Sequence, residues 1–311
     1  MKNVVLDCDV GQDDAAAIVL ALASKELNVV GITAAGGNAK VERCAENTLK
    51  ILELMNRDIP VYVGEQKPLH REFKTLPKVF GKSGLAGGDD LTVKKLKVSS
   101  TKAVDFLVDT FSKPNNLFVC CTAPATNFGM AFMREKLMIN DMTVMGGCPF
   151  PEPLENEMGN IDDGIAEFNA WSDPKSFDTV INKAKKVNLI GLDVTRSVLY
   201  NYRIDDMLRK INTKLSNRLA QILSTIGEDD KRDYGKQRAF PEDPVRAIHD
   251  AIAMAYVIDP TMFKSEILPL KIGEKGQTII EDGGKPINVI RSVDKNKFFD
   301  MFISLIWNYR G

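Results

Sequence analysis

The sequence predicts an α/β fold: one domain, residues 1–311, on a mostly parallel central sheet flanked by helices, with a small C-terminal strand excursion. Three observations predict it. Short apolar runs of strand length alternate with helix-period segments from the start of the chain. Several of those runs read as fully buried strands, as expected where helices cover both faces of a sheet. No repeat or low-complexity linker divides the chain.

In order, Val4–Leu6 is a short apolar run that stops at carboxylates, and Ala15–Lys25 reads as a helix that is apolar on most sides and therefore buried. A second strand, Val29–Ala34, ends at Gly36-Gly37-Asn38. The segment Val41–Met55 has apolar positions at Val41, Cys44/Ala45, Leu49, Leu52 and Met55, the spacing of an amphipathic helix. Pro60–Val63 is the next strand. Strand, helix, strand, helix, strand is the signature of parallel pairing through right-handed crossovers. The pattern resumes with strands at Leu117–Cys121, Met142–Met145 and Val187–Leu192, and with helices near Thr126–Met133 and Pro174–Ala184. Ile267–Val293 reads as short strands with turns, before a closing amphipathic helix over Lys295–Tyr309. Two long excursions, Gln66–Thr101 (rich in Gly, Lys and Pro) and the charged Gly227–Pro244, have the length of lids or binding loops.

Hydrophobic residues make up 44% of the chain, enough for a sizeable core. With 41 basic and 42 acidic residues, bulk charge supplies no reason to expect nucleic acid or an anionic membrane as partner. Cys8, Cys44, Cys120, Cys121 and Cys148 form no CxxC pair and read as reduced, buried thiols; strand geometry turns Cys120 and Cys121 to opposite faces. A zinc site is disfavoured, because only His70 and His249 could join them. The start lacks the layout of a signal peptide, and Ala15–Ala23 is too short to span a bilayer, so the expectation is a soluble cytoplasmic protein.

The chemistry concentrates in Asp7-Cys8-Asp9-Val10-Gly11-Gln12-Asp13-Asp14. The first strand delivers Asp7 and Asp9 to the carboxyl edge of the sheet, where open α/β folds bind ligands, and Gly11 permits the turn. Asp13 and Asp14 open the helix, where carboxylates suit the helix dipole. Four carboxylates so close together repel one another if desolvated, and a hard cation relieves that repulsion. Two capping aspartates with two solvated ones remain the plainer reading. The phosphatase pattern Asp-x-Asp-x-Thr/Val fits poorly, since Gly11 stands at its fifth position and Asp13-Asp14 is foreign to it.

The segment instead closely resembles the opening of the inosine-uridine-type nucleoside hydrolases, Asp-x-Asp-x-Gly-x-Asp-Asp-Ala. Further matches follow in the same order: Gly36-Gly37-Asn38, Ala125-Thr126-Asn127, Gly159-Asn160, Ala166-Glu167-Phe168-Asn169-Ala170-Trp171 with Asp173-Pro174, and Ile248-His249-Asp250-Ala251. They run from residue 4 to about residue 260. The resemblance implies Ca²⁺-dependent cleavage of the N-glycosidic bond of a small-molecule ribonucleoside, to free base and ribose. It also implies Ca²⁺ held by Asp9, Asp14, Asp250 and the carbonyl of Thr126. Asp9 would serve as general base for a metal-bound water, and an oxocarbenium-like transition state would be passed. Asp13, Asn38, Asn160, Glu167 and Asn169 would bind ribose, and Phe168 would join the substrate site. His249 is the candidate general acid for the departing base. A homo-oligomer, dimer or tetramer, is expected on the same ground.

The sequence departs from the family in places. Phe80 stands where many members carry a histidine, and it either stacks on the base or packs the loop. Ser83 replaces an acidic residue, Val10 a proline, and the spacing from Asn160 to Glu167 is one residue longer. Tyr234 is a candidate to close over the base. Two other readings compete: a Mg²⁺-dependent phosphatase with Asp7 as nucleophile, and a nucleoside-binding protein without turnover.

Overall fold

The computed structural model describes residues 1–150, 166–225 and 246–309. Its strands are β1 (Lys2–Cys8), β2 (Leu27–Ala34), β3 (Val61–Val63), β4 (Phe118–Cys121), β5 (Asp141–Met145), β6 (Val187–Ile190), β7 (Leu199–Tyr200), β8 (Arg246–Ala247), β9 (Phe263–Ile272), β10 (Thr278–Ile280) and β11 (Lys285–Val293). The helices are α1 (Gln12–Ala23), α2 (Val41–Leu54), α3 (Pro77–Phe80), α4 (Ala103–Phe111), α5 (Thr126–Arg134), α6 (Phe168–Ser172), α7 (Pro174–Lys183), α8 (Leu192–Thr195), α9 (Tyr202–Ile211), α10 (Lys214–Leu223), α11 (His249–Ile258) and α12 (Lys295–Asn308).

Nine strands form one sheet in the order β10-β9-β11-β6-β5-β4-β1-β2-β3. From β3 across to β11 the neighbours are parallel; β9 and β10 then add antiparallel. The C-terminal strands therefore extend the main sheet, with β11 pairing parallel to β6. The chain moves outward from β1 to β2 and β3, then returns to lay β4 on the other side of β1. That reversal opens a crevice between the carboxyl ends of β1 and β4, where the loops diverge above and below the sheet.

Each strand divides its side chains between two cores. Val4, Leu6 and Cys120 lie in one, Val5, Val119 and Cys121 in the other, as the period of two requires. All five cysteines are buried and unbridged. Helix α1 is buried on nearly every side, packed against α11 and α12, which explains its lack of a polar face. It begins at Gln12, three residues before the apolar run, because the Asp14 carboxylate accepts the Gly11 N–H and closes the first turn. The residues after β7, to which the sequence reading assigns no element, hold the amphipathic helices α9 and α10.

The first excursion is mostly irregular and is tied down by side chains. Glu53 Oε1 accepts the N–H groups of Lys94, Lys95 and Leu96 at 2.7, 2.5 and 2.9 Å. Asp173 accepts the Leu69 N–H at 3.0 Å. The second excursion lies outside the described residues. Among the described residues no helix is long and apolar enough to cross a membrane.

Candidate active site

The end of β1 carries two carboxylates with different surroundings. Asp7 is fully buried, and its Oδ1 accepts from Thr33 Oγ1 at 2.6 Å and from Asn127 Nδ2 at 2.7 Å. Cys121 Sγ lies 3.5 Å from its other oxygen. Asp7 thus joins β1 to β2, to β4 and to α5, a supporting task the sequence leaves unnamed. Burial pushes its pKa up to about 6, against the pull of these three donors. Asn127 also accepts the Glu65 N–H at 2.8 Å, so it is a cross-brace and not a helix cap.

Two residues on, the surroundings change. Asp9 Oδ2 accepts the Asn38 N–H at 2.7 Å, in a space that only glycine at position 37 leaves open, since a Cβ there would sit 2.0 Å from that oxygen. Asp14 Oδ1 accepts from Thr122 Oγ1 at 2.8 Å, and Oδ2 accepts from the Gly11 N–H at 3.0 Å and Asn38 Nδ2 at 3.4 Å. Helix α11, packed against α1, brings Asp250 up to them. Asp13, Asp14 and Asp250 each offer an oxygen within 4.8 Å of the others.

No lysine or arginine is hydrogen-bonded to this group among the described residues, and its electrostatics show it. Burial raises all four pKa values, followed for Asp9, Asp14 and Asp250 by repulsion from neighbouring aspartates. Asp14 is pushed to about 7, and Asp9 and Asp250 well above the ordinary carboxylate range. Asp13 Oδ1 is buried with no hydrogen-bond partner among the described residues. A buried carboxylate oxygen with nothing to accept is costly. All-oxygen donors, mutual repulsion and one orphaned oxygen fit a hard divalent cation.

The remaining predicted residues ring this cluster to different degrees. Asn38 bridges Asp9 and Asp14 through its backbone and side-chain nitrogens. Thr126 begins α5, its hydroxyl donating to Asp173 Oδ2 at 2.9 Å. Glu167 caps α6: its carboxylate accepts the N–H groups of Asn169 (2.8 Å), Ala170 (3.0 Å) and Gly147 (3.0 Å). Asn169 Nδ2 donates to the carbonyls of Thr122 (2.8 Å) and Met145 (3.2 Å), which end β4 and β5. Phe168 is buried at the start of the same helix. The Phe80 ring packs on Gly11, where a Cβ would come within 2.5 Å of it. His249 opens α11, half-buried, with Nδ1 2.7 Å from Thr195 Oγ1. Asn160 and Tyr234 lie outside the described residues.

Sequence reasoning missed Thr122, Thr33 and Thr195. Each is a single polar residue at the end of an apolar run or in a short turn, and carries no local signature. Asp173 was visible only as part of an Asp-Pro pair, and here it ties Leu69, Thr126 and Ser176 together.

A family profile described as inosine-uridine preferring nucleoside hydrolase matches residues 4–300. A protein of that name from Leishmania major is 28% identical over 98% of this chain and 96% of its own. The pyrimidine-specific ribonucleoside hydrolase RihA of Escherichia coli is 31% identical over 96% of each. A solved purine-preferring ribonucleoside hydrolase from Gardnerella vaginalis superposes with a TM-score of 0.85 at 28% identity, covering 99% of both chains. The carboxylate crevice, the sheet order around it and these matches agree: the chain belongs to the inosine-uridine preferring nucleoside hydrolase family, and is an N-glycosyl hydrolase.

Proposed function

We propose that this protein hydrolyses the N-glycosidic bond of ribonucleosides in a Ca²⁺-dependent reaction, releasing free base and ribose. The observation that carries the reading is the buried cluster of Asp13, Asp14 and Asp250, with Asp9 close enough to repel them, at the sheet's switch point; Asp13 Oδ1 has no hydrogen-bond partner among the described residues. Asp9, Asp14, Asp250 and the Thr126 carbonyl would hold the cation; Asp13, beside them, is free to turn its oxygen to a sugar hydroxyl. Bound there, Ca²⁺ would supply positive charge that eases deprotonation of water and anchors ribose hydroxyls.

The chain's own residues account for the other requirements. Asp9 takes a proton from the attacking water, its carboxylate held by the Asn38 N–H at 2.7 Å. The carboxylates place negative charge beside a sugar that becomes cationic at the transition state. Asn38 and Asn160 complete the ribose contacts. Glu167 has lone pairs beyond the three backbone donors it accepts, and Asn169, with its nitrogen committed, presents its carbonyl oxygen to a ribose hydroxyl. Phe80 and Phe168 border the base, Tyr234 is the candidate to close over it, and His249 protonates the departing nitrogen. Relatives are named for purine preference and for pyrimidine specificity, so the base contacts, not the carboxylates, set selectivity.

The test is a nucleoside panel assayed for reducing sugar, with and without chelator, on wild type and Asp9→Ala. Turnover should require the cation and vanish in the variant. Unchanged hydrolysis by Asp9→Ala would sink the mechanism, and phosphate release without base release would favour a phosphatase. A cytoplasmic homo-oligomer is part of the same proposal, and sedimentation of the purified chain checks the assembly.

A further inference from the structure

The reading of His249 as the group that meets the leaving base raises the question of what holds its ring. His249 is the first residue of α11, so its backbone has neighbours on only one side along the helix. An imidazole on a helix end turns about two bonds, and each orientation presents a different nitrogen. The ring is held through Nδ1 by Thr195 Oγ1, 2.7 Å away.

Thr195 is built for that contact. It ends α8, the single turn after β6, and is fully buried. Its N–H is bound to the Gly191 carbonyl at 3.1 Å and its carbonyl accepts the Val198 N–H at 3.2 Å, so the backbone is held from both sides. As a β-branched residue it has few rotamers. A threonine hydroxyl in a helical turn commonly bonds back to a carbonyl one turn earlier; this one reaches instead to a residue 54 positions away.

We infer that Thr195 is a positioning residue for nucleobase departure, fixing the ring of His249 through Nδ1 so that Nε2 is the nitrogen that serves the leaving group. The inference rests on the proposed role of His249. In the step concerned, the C1′–N bond breaks and its electron pair stays with the base, which takes the proton from Nε2. The Nδ1 proton remains on the ring, donated to Thr195 Oγ1 throughout. Water forms the new bond to C1′ and gives its proton to Asp9. Thr195 touches neither substrate nor reacting atoms; it keeps the imidazole from turning away while the proton leaves.

The experiment compares Thr195→Val, Thr195→Ser and His249→Ala with wild type, all with Ca²⁺ added, on uridine, inosine and p-nitrophenyl riboside. The last needs no proton to release its phenolate, so it reports on the rest of the site. T195V keeps the shape and loses the hydroxyl, and kcat on the nucleosides should fall about 10-fold with KM within about 2-fold, part of what a general acid contributes. On p-nitrophenyl riboside the loss should shrink to less than about 3-fold, and T195S should recover most nucleoside turnover. Equal losses on both substrate types would make Thr195 merely structural and overturn the inference. So would wild-type nucleoside turnover in T195V alongside a large loss in H249A. Undiminished nucleoside turnover in H249A would remove the role of His249 itself, and the role of Thr195 with it.

Discussion

Asp7 and Asp13 are both buried carboxylates within one turn of chain, yet their surroundings are opposite. Asp7 meets a hydroxyl, an amide and a thiol, each from a different element. Asp13 faces Asp14 and Asp250 and keeps one oxygen without a donor among the described residues. Charge and burial are shared; the supply of donors is not. Asp7, with a donor from each neighbouring element, ties β1 to the rest of the fold. Asp13, set among other carboxylates, faces the place the proposed reading gives to cation and ribose.

The comparison is open to breaking by mutation. The largest effect is expected at Asp14, where Asp14→Asn should cost at least about 10³-fold in kcat/KM, the several kcal/mol that a bound metal contributes to charge stabilisation. In chelator the same variant should melt no lower than wild type, because it removes repulsion along with the ligand. Calorimetric cation titration and thermal melts check both halves. A variant that loses stability and keeps its metal would reverse the assignment.

Asp7→Ala should do the opposite. It leaves the Thr33 hydroxyl and the Asn127 amide buried without their acceptor, and urea unfolding should show a loss of about 2–4 kcal/mol. Cation affinity in the folded fraction should change far less than in Asp14→Asn.

The pH dependence separates the two regions more finely. Burial raises both Asp7 (to about 6) and Asp14 (to about 7), so the folded protein binds protons more tightly than the unfolded chain. Their contribution to stability is therefore present at low pH and lost as pH rises from about 4 through about 6 to 7, on the order of 3–4 kcal/mol per group. Cation binding has the reverse dependence, since protons compete for Asp14, and its affinity should weaken below about pH 7. Melts in chelator and in saturating Ca²⁺ should diverge as pH increases; parallel curves would contradict the assignment of the cluster to a cation.

The smallest effect is expected at Phe80, which lies against Gly11 and contributes no charge to either region. Phe80→Leu should shift the ratio of kcat/KM for inosine and uridine by less than about 10-fold, the scale of an apolar contact change. A loss of the same size on every substrate would mean that the ring only packs the turn.

Much of this architecture is legible in the chain. The run Val4–Leu6, the apolar faces of α2 and the Gly36-Gly37 turn predict the strand-helix alternation, and the structure keeps that alternation with element ends shifted by up to three residues. The pattern fades after β6, where α9 and α10 have polar exteriors and short connections, so their periodicity is easily taken for loop. Local pattern also extends to chemistry where the site is local: Asp9, Asp13 and Asp14 are neighbours in sequence and in space.

What the sequence alone determined is the acidic turn and the elements around it, because backbone propensity and hydrophobic period act over a few residues; only the ordered family motifs assigned the distant Asp250 and His249 to the same site. Tertiary structure decided which carboxylates are alike. It placed Thr33 and Asn127 on Asp7, and Asp250, 237 residues beyond Asp13, against Asp13 and Asp14. It also set Thr195 on His249. Those pairings arise from strand order and from α11 packing on α1, long-range contacts that no spacing along the chain encodes.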